Sequence, residues 1–187
     1  MTKVIAGAFK SRNLRVPHSV TRPTTSRVRE AMFSTLQHML GDFSEMQVLD
    51  LYAGSGALGI ESASRGATHV DFVESDARAC ETIKENLTNC GCDVGKVHPT
   101  QVLTYLDKTQ VSHKYDVVFL DPPYSLTDEA LGQVLEALAA GNWLAQDAVV
   151  VVERGRRSAF AWPFGYVESS MKAYGDTAIW YGQYVDA

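Results

Sequence analysis

Short apolar segments alternate with amphipathic stretches along most of the chain. The first helical period runs from Ser26 to Leu40, and Gly41 ends it. Apolar strands are then predicted at 48–51, 69–74, 94–98, 115–121 and 148–153, with helices at 77–90 and 128–140 and one that ends near Arg65. Strands that alternate with helices are typical of a parallel, doubly wound α/β sheet.

Both ends of the chain depart from this alternation. Residues 3–16 alternate loosely between apolar and polar positions, which predicts a β-hairpin. Two aromatic-rich segments near 165–171 and 177–184 predict an antiparallel hairpin at the edge of the sheet. We therefore expect one Rossmann-like domain over the whole chain, with a basic hairpin and loop (1–25) followed by a helix and a mostly parallel seven-stranded sheet (26–187).

The charge of the chain is informative about a binding partner only when it is counted segment by segment. The net charge of −5 by itself disfavours a nucleic-acid partner. Residues 1–30, however, hold seven basic groups and one acidic group, whereas the remaining residues hold 10 basic and 21 acidic groups. A basic segment on an acidic body suits local contact with phosphate, although a solvated basic hairpin would carry the same charge.

Cysteine and histidine usage disfavours a disulfide-bonded or zinc-binding protein. Cys80, Cys90 and Cys92 make an odd count without a C-x-x-C pair, as in a cytoplasmic protein with reduced thiols. The scattered histidines lack metal-ligand spacing, so we expect no metal site: His18, His38, His69, His98 and His113. Nothing in the sequence resembles a signal peptide or a membrane span, and we expect no membrane partner.

A glycine-rich segment, Asp50–Gly59, follows the first apolar strand and leads into a helix. Gly54, Gly56 and Gly59 match the pattern G-x-G-x-x-G, in which glycines allow a tight turn and a close approach of the backbone to a ligand. Glu74 ends the next strand, where an acid can accept both ribose hydroxyl hydrogens of a bound nucleoside. The nucleoside can belong to NAD or to S-adenosylmethionine (SAM).

Two observations favour SAM over a dinucleotide. Asp50, at the strand end, is placed to meet a cationic amino group such as that of the methionine moiety, and NAD has no ammonium group. The chain also lacks room for the separate substrate domain of many dehydrogenases. A dinucleotide-binding oxidoreductase or a non-catalytic nucleotide-binding module is the less favoured alternative.

The tetrad Asp121-Pro122-Pro123-Tyr124 ends the strand at 115–121. Ligands of an open α/β sheet bind beyond the carboxyl ends of strands near the point where strand order reverses, so this tetrad should face the same crevice as the glycine-rich turn. An exocyclic base amine is a poor nucleophile, because its lone pair is delocalised into the ring. A carboxylate and a backbone carbonyl can each accept one amine hydrogen and turn that lone pair towards a methyl donor.

The other members of the tetrad suit the same chemistry. Pro122 and Pro123 stiffen the loop and supply carbonyls without competing N–H groups. Tyr124 offers a flat face on which an extruded base can stack. We therefore predict catalytic roles for all four residues, against the alternative of a rigid turn that merely caps a helix.

Four arginines are candidates for contact with RNA. Arg12 and Arg15 lie in the predicted basic hairpin, and Arg22 and Arg27 flank the start of the first helix. All four are expected to meet phosphate groups, and Arg22 and Arg27 could instead meet the carboxylate of the cofactor. Arg22 and Arg27 could equally belong to a capped helix with a solvated basic face.

These motifs occur together in one family. The chain resembles the RsmD family, bacterial methyltransferases that act on guanine N2 of small-subunit ribosomal RNA. The match covers nearly the whole length: V-I-A-G (4–7), R-P-T-T-S-R-V-R-E (22–30), D-L-Y-A-G-S-G-A-L-G (50–59), S-R-G-A (64–67), V-E-S-D (73–76), Asn86, D-V-V-F-L-D-P-P-Y (116–124) and Y-G-D-T (174–177). The R-P-T-T-S-R-V-R-E segment is its most specific part.

The resemblance implies SAM as the methyl donor, and small-subunit ribosomal RNA, free or within an assembling ribosomal particle, as the substrate. Similar proteins often carry an acid near the adenine amine where this chain has Gln101, whose carbonyl could still accept that hydrogen bond. The predicted cofactor set is Asp50, Ala53, Gly54, Ser55, Gly56, Glu74, Gln101 and Asp121. A DNA or RNA adenine-N6 methyltransferase could use the same tetrad and is the second alternative.

Overall fold

The computed structural model describes residues 2–17 and 25–185. Its strands are β1 (Thr2–Lys3), β2 (Asn13–Leu14), β3 (Gln47–Leu51), β4 (His69–Glu74), β5 (Gly95–Pro99), β6 (Tyr115–Leu120), β7 (Leu144–Gly155), β8 (Tyr166–Tyr174) and β9 (Thr177–Tyr184). Its helices are α1 (Ser26–Leu40), α2 (Ala57–Ser64), α3 (Ala77–Cys90), α4 (Val102–Lys108) and α5 (Asp128–Ala140). No helix among the described residues is long and apolar enough to cross a membrane.

Seven strands form one sheet in the order β5-β4-β3-β6-β7-β9-β8. The first five strands in this order run parallel to one another, whereas β9 runs antiparallel to both β7 and β8. After β3 the chain adds β4 and β5 on one side of β3, and it then returns to add β6 on the opposite side. Strand order therefore reverses between β3 and β6. The predicted Rossmann-like sheet with an antiparallel edge hairpin is therefore confirmed.

Helices cover both faces of the sheet, which explains why most positions of the central strands are apolar. In β6, Val117 and Phe119 pack on the face covered by α1, α2 and α3. Val118 and Leu120 pack on the face covered by α4 and α5. A strand buried on both sides has few positions for solvated side chains, so its sequence is a nearly continuous apolar run.

Residues 2–17, which we call the N-terminal arm, dock on helix α2. The predicted hairpin is present but short, since β1 and β2 pair only at two positions. The Glu61 carboxylate accepts hydrogen bonds from the backbone N–H groups of Ile5 (2.7 Å) and Ala6 (3.1 Å). Gly7 has φ of 82°, and a Cβ there would lie 1.7 Å from the Ser64 carbonyl oxygen. Only glycine fits this contact, so the arm is held closely on the body of the protein.

Helix α4 was not predicted from the sequence. It spans Val102–Lys108, and its apolar contacts with the core come from Val102, Tyr105 and Leu106. Two turns are too short to show a helical period. Strand β7 is longer than predicted, because it begins at Leu144 and continues to Gly155 as it pairs with β9.

Candidate active site

Three strands deliver the predicted site residues to one edge of the sheet. Leu51 of β3 pairs with Val73 of β4 on one side and with Leu120 of β6 on the other. The residues that follow these positions therefore leave the sheet side by side. Glu74 and Asp121 thus flank the start of the glycine-rich turn. They lie where the strand order reverses, which is where open α/β sheets bind their ligands.

The glycine-rich turn departs from ordinary backbone conformation three times within five residues. Tyr52, Gly54 and Gly56 have φ of 60°, 56° and 75°. A tyrosine with positive φ is uncommon, and such backbone conformations persist only where the surroundings enforce them. Gly59 serves packing instead, since a Cβ there would lie 2.3 Å from the Phe72 ring. Helix α2 consequently lies close to the sheet.

Glu74 is tied to this turn at its carboxylate. One oxygen accepts from the Gly54 N–H at 2.9 Å, and the other accepts from the Asp76 N–H at 2.8 Å. Each carboxylate oxygen has two lone pairs, so both retain capacity to accept another hydrogen. Glu74 is half-buried at the end of β4, where a ribose acceptor is expected.

Asp50 lies beneath the turn and is only 1% exposed. Its carboxylate accepts from the Gly59 N–H in the first turn of α2, at 2.9 Å. Burial raises the pKa of Asp50 to about 8; the hydrogen bond from Gly59 opposes this rise, and the nearby Glu74 carboxylate adds to it. Asp50 thus supports the start of helix α2, and its contact with a ligand ammonium stays a prediction.

The remaining turn residues contribute backbone atoms. Ala53 donates its N–H to the Val73 carbonyl (3.2 Å) and accepts from the Gly56 N–H (2.7 Å). The Ser55 carbonyl accepts a hydrogen bond from the side chain of Asn86, at 2.9 Å. These bonds fix the shape of the turn. Cofactor contacts by Ala53, Ser55 and Gly56 stay predictions.

Asn86 connects this turn to the N-terminal arm, a role that the sequence did not predict. Its amide group donates to the Arg15 carbonyl (2.9 Å) and accepts from the Arg15 N–H (2.8 Å). The side chain is fully buried in the middle of α3. A polar residue on the apolar face of an amphipathic helix was the one signal available, since buried amides need partners.

The tetrad begins directly after β6 and its members differ in exposure. Asp121 is half-buried, Pro122 is buried, and Pro123 is exposed with its carbonyl accepting from the Leu126 N–H at 2.9 Å. Tyr124 is 62% exposed. A Cβ built on Gly155 would lie 4.0 Å from Tyr124 Cε1, so the ring stands beside the end of β7. An exposed ring at this place is open to stacking.

Arg154 holds the loop that follows the tetrad and was not predicted. Its guanidinium donates to the Leu126 carbonyl (2.7 Å) and to the Asp128 carboxylate (2.9 Å). Partial burial would raise the pKa of Asp128, but hydrogen bonds from Ser158 and Arg154 hold it below its ordinary value. The loop between Tyr124 and α5 is therefore anchored to β7.

The four candidate RNA-binding arginines differ in their surroundings. Arg12 and Arg15 are exposed on the arm, where Arg15 pairs with Glu85 at 2.6 Å. Arg27 is exposed in the first turn of α1, and Arg22 lies outside the described residues. The neighbouring Arg29 is structural, since it is buried and donates to the Thr2 hydroxyl and the Lys3 carbonyl.

Gln101 lies at the same edge of the sheet as Glu74. It is exposed at the N-cap of α4 and makes no capping hydrogen bond with its side chain. Strand β5 places it there, because Pro99 pairs with Glu74 and the Thr100 N–H donates to the Glu74 carbonyl. Its predicted contact with the adenine amine stays a prediction.

This fold and site define a Rossmann-like methyltransferase. A family model described as "Conserved hypothetical protein 95" matches residues 2–183. The chain belongs to this family, the RsmD family that its motifs indicated.

Named relatives and a solved structure agree with this assignment. The chain is 36% identical over 154 residues to the ribosomal RNA small subunit methyltransferase D of Haemophilus influenzae, covering 81% of this chain and 77% of that protein. It is 34% identical over 152 residues to the protein of the same name from Escherichia coli, covering 81% and 73%. A solved Escherichia coli structure described as a methyltransferase gives a TM-score of 0.86 at 29% identity and covers 98% of both chains.

Proposed function

We propose that the protein transfers a methyl group from SAM to the exocyclic N2 of a guanine in small-subunit ribosomal RNA. The observation that carries this proposal is the position of Asp121 beside the glycine-rich turn, with the exposed Tyr124 ring three residues later. The two relatives named above are methyltransferases of small-subunit ribosomal RNA. The three cysteines are free and the proposed substrate is ribosomal, which suits a cytoplasmic location.

The residues at the carboxyl edge of the sheet fit SAM. Glu74 would accept the ribose hydroxyls, the backbone at Gly54 and Gly56 would allow close approach, and Gln101 would accept from the adenine amine. Burial raises the pKa of Asp50 to about 8, and an ammonium group of the donor nearby would favour its ionised form. When bound, the donor supplies a methyl group activated by its positive sulfur.

Residues of the tetrad would prepare the acceptor amine. Asp121 accepts one amine hydrogen, and a backbone carbonyl within the Pro122-Pro123 segment accepts the other. The nitrogen lone pair then points at the methyl group. Tyr124 stacks on the extruded base, which must leave its own stack to reach such a pocket. Strand β6 precedes the tetrad and the bond from Arg154 to the Leu126 carbonyl follows it, so both ends of this segment are held, which would help to preorganise these groups.

The sheet topology argues against a dinucleotide-dependent oxidoreductase. Dinucleotide-binding folds have six parallel strands in the order 3-2-1-4-5-6. Here the antiparallel strand β9 is inserted between β7 and β8. Calorimetric titration with SAM and NAD separates the two functions directly, because only SAM should bind.

A DNA or RNA adenine-N6 methyltransferase shares the tetrad chemistry, but nothing in the site favours adenine. The acceptor base is tested by mapping modified bases in ribosomal RNA from cells that lack the protein. We expect one guanine N2 methylation to disappear and to return when purified protein and SAM are added to small-subunit particles or to naked RNA. Loss of an adenine modification instead would refute the proposal.

Glu74→Ala should weaken SAM binding by about 1–3 kcal/mol, because two ribose hydroxyls lose an acceptor. The turn also loses a bond to the Gly54 N–H, so Glu74→Gln, which keeps one acceptor oxygen, should lose less. Calorimetry on folded variants measures the effect. Glu136→Ala, an exposed position on α5, is the matched control. Unchanged SAM affinity in Glu74→Ala would contradict the site.

The double variant Arg12→Gln, Arg15→Gln should bind RNA more weakly and with a flatter salt dependence. Each lost phosphate contact on a single strand lowers the salt slope by about 0.7, and such contacts carry no sequence information. The arm itself stays docked, because Asn86 holds the Arg15 backbone.

The salt dependence of RNA affinity is measured beside that of Lys108→Gln, Lys114→Gln. This control removes the same charge at exposed positions away from the arm. SAM affinity should be unchanged in both double variants. Equal salt slopes for both would show that the two arm arginines are only solvated.

A further inference from the structure

Three histidines from separate elements surround one buried aspartate. Asp71 in β4 is 3% exposed, and its carboxylate lies 2.5 Å from His98 Nε2 of β5 and 2.7 Å from His69 Nε2 at the start of β4. His113, just before β6, brings its own Nε2 to 3.5 Å from the same carboxylate. Histidines that look scattered along the chain are thus gathered by the sheet.

This cluster is separate from the active site. His69 begins β4 and Glu74 ends it, so the two ends are about 16 Å apart at roughly 3.3 Å per residue. The Asp71 side chain lies on the face covered by α4, where Tyr115 donates its hydroxyl to the carboxylate at 2.6 Å. Methyl transfer as proposed above uses none of these residues.

His113 has a ring nitrogen that is able to bind a metal ion. Its Nε2 is buried and has no hydrogen-bond partner among the described residues, although buried polar atoms are ordinarily paired. The 3.5 Å separation from Asp71 is long for a hydrogen bond. It equals roughly the spacing of two donor atoms around a tetrahedral ion with bonds of about 2.0–2.1 Å.

The donor set is one that transition metals prefer. Ligand atoms of His69, Asp71 and His113 all lie within 4.8 Å of one another. His69 Nε2 lies 2.7 Å from the Asp71 carboxylate, so a bound ion would replace the hydrogen between them and release it as a proton. Two imidazole nitrogens and one carboxylate oxygen suit Zn²⁺, with a water molecule in the fourth position.

Neighbouring groups would orient these ligands. The His113 Nδ1 lies 3.0 Å from the Ser112 hydroxyl, and His98 and Tyr115 hold the Asp71 carboxylate. Outer partners of this kind fix the ring orientation and the tautomer of metal ligands.

We propose that His69, Asp71 and His113 form a binding site for one divalent transition-metal ion of the Zn²⁺ type. The ion would join the start of β4 to the segment that precedes β6. Because the ion would link these two segments in the folded state only, its binding should stabilise this end of the sheet.

The test uses the full chain, freed of metal with a chelator, and Zn²⁺ alone as the probe. We expect one equivalent to bind and the melting temperature to rise with Zn²⁺ concentration. His113→Ala should weaken Zn²⁺ binding at least about tenfold, because it deletes a ligand. The Asp71 carboxylate keeps its bonds from His98, His69 and Tyr115 in that variant, so the fold should survive. His38→Ala, an exposed histidine on α1, should change nothing.

Substitution of Co²⁺ for Zn²⁺ answers the same question without any variant. A four-coordinate protein site gives intense visible absorption bands, whereas hydrated Co²⁺ gives weak ones. Intense bands that appear at one equivalent and disappear on adding Zn²⁺ support the site. Weak bands throughout, an absence of saturable Zn²⁺ binding, or unchanged affinity in folded His113→Ala would overturn the proposal.

Discussion

Asp121→Ala should slow methyl transfer at least about a hundredfold while the protein stays folded and binds SAM almost normally. The reason lies in what the carboxylate does at the end of β6. It accepts a hydrogen from the target amine, aligns the nitrogen lone pair and stabilises the positive charge that builds on nitrogen. Loss of one preorganised contact of this kind costs about 10²–10³ in rate.

The measurement is single-turnover transfer to ribosomal RNA or small-subunit particles with saturating SAM. Asp121→Asn should retain more activity than Asp121→Ala, because an amide carbonyl still accepts the hydrogen. Asp107→Ala, an exposed carboxylate on α4, should leave the rate unchanged. A near-normal rate for Asp121→Ala would remove Asp121 from the mechanism, and so would a variant that is inactive because it unfolds.

Glu61→Ala should lower the free energy of unfolding by about 3 kcal/mol or more. The Glu61 side chain is completely buried in α2 and accepts from the N–H groups of Ile5 and Ala6 and from the Arg65 guanidinium at 2.8 Å. Removing one partner of a buried ion pair typically costs about 3–5 kcal/mol, and the stranded N–H groups add to the loss. Arg65 keeps its contact over the Phe33 ring, 4.8 Å from the centroid, which moderates the effect.

Urea unfolding of the variant and the parent measures this difference. Glu61→Gln retains one acceptor oxygen and should be less destabilising. Glu81→Ala removes an exposed carboxylate from α3 and should leave the urea concentration at the unfolding midpoint unchanged. Stability equal to the parent in Glu61→Ala would mean that the arm is held by its other contacts alone.

The parts of the fold that follow a local period were predictable from the sequence. Helices α3 and α5 and strand β4 begin and end at the predicted residues, because each has a clear apolar repeat between strong boundary signals. The position of the glycine-rich turn and of the tetrad that begins at Asp121 also followed from motif and strand position, and the structure brings both segments to one edge of the sheet. Their roles in binding and catalysis stay predictions. Helix α4 was missed because two turns show no repeat.

Residues whose importance comes from distant partners were not predictable. Asn86 bonds to Arg15 and to Ser55, which lie 71 and 31 positions away. Arg154 reaches Leu126, 28 positions earlier. A polar residue on the apolar face of a helix, such as Asn86, shows only that it needs a partner. Which residue that partner is depends on how the strands are ordered in the sheet.

The position of Asn86 has a thermodynamic consequence for the proposed enzyme. One amide side chain bonds the arm at Arg15 and the turn at Ser55, so a displacement of the arm must break these bonds or shift the turn. A partner that orders the arm and a ligand that orders the turn would therefore both affect the hydrogen bonds of Asn86. Linkage requires the coupling to be reciprocal: whatever factor RNA on the arm imposes on the affinity for SAM, SAM imposes on the affinity for RNA.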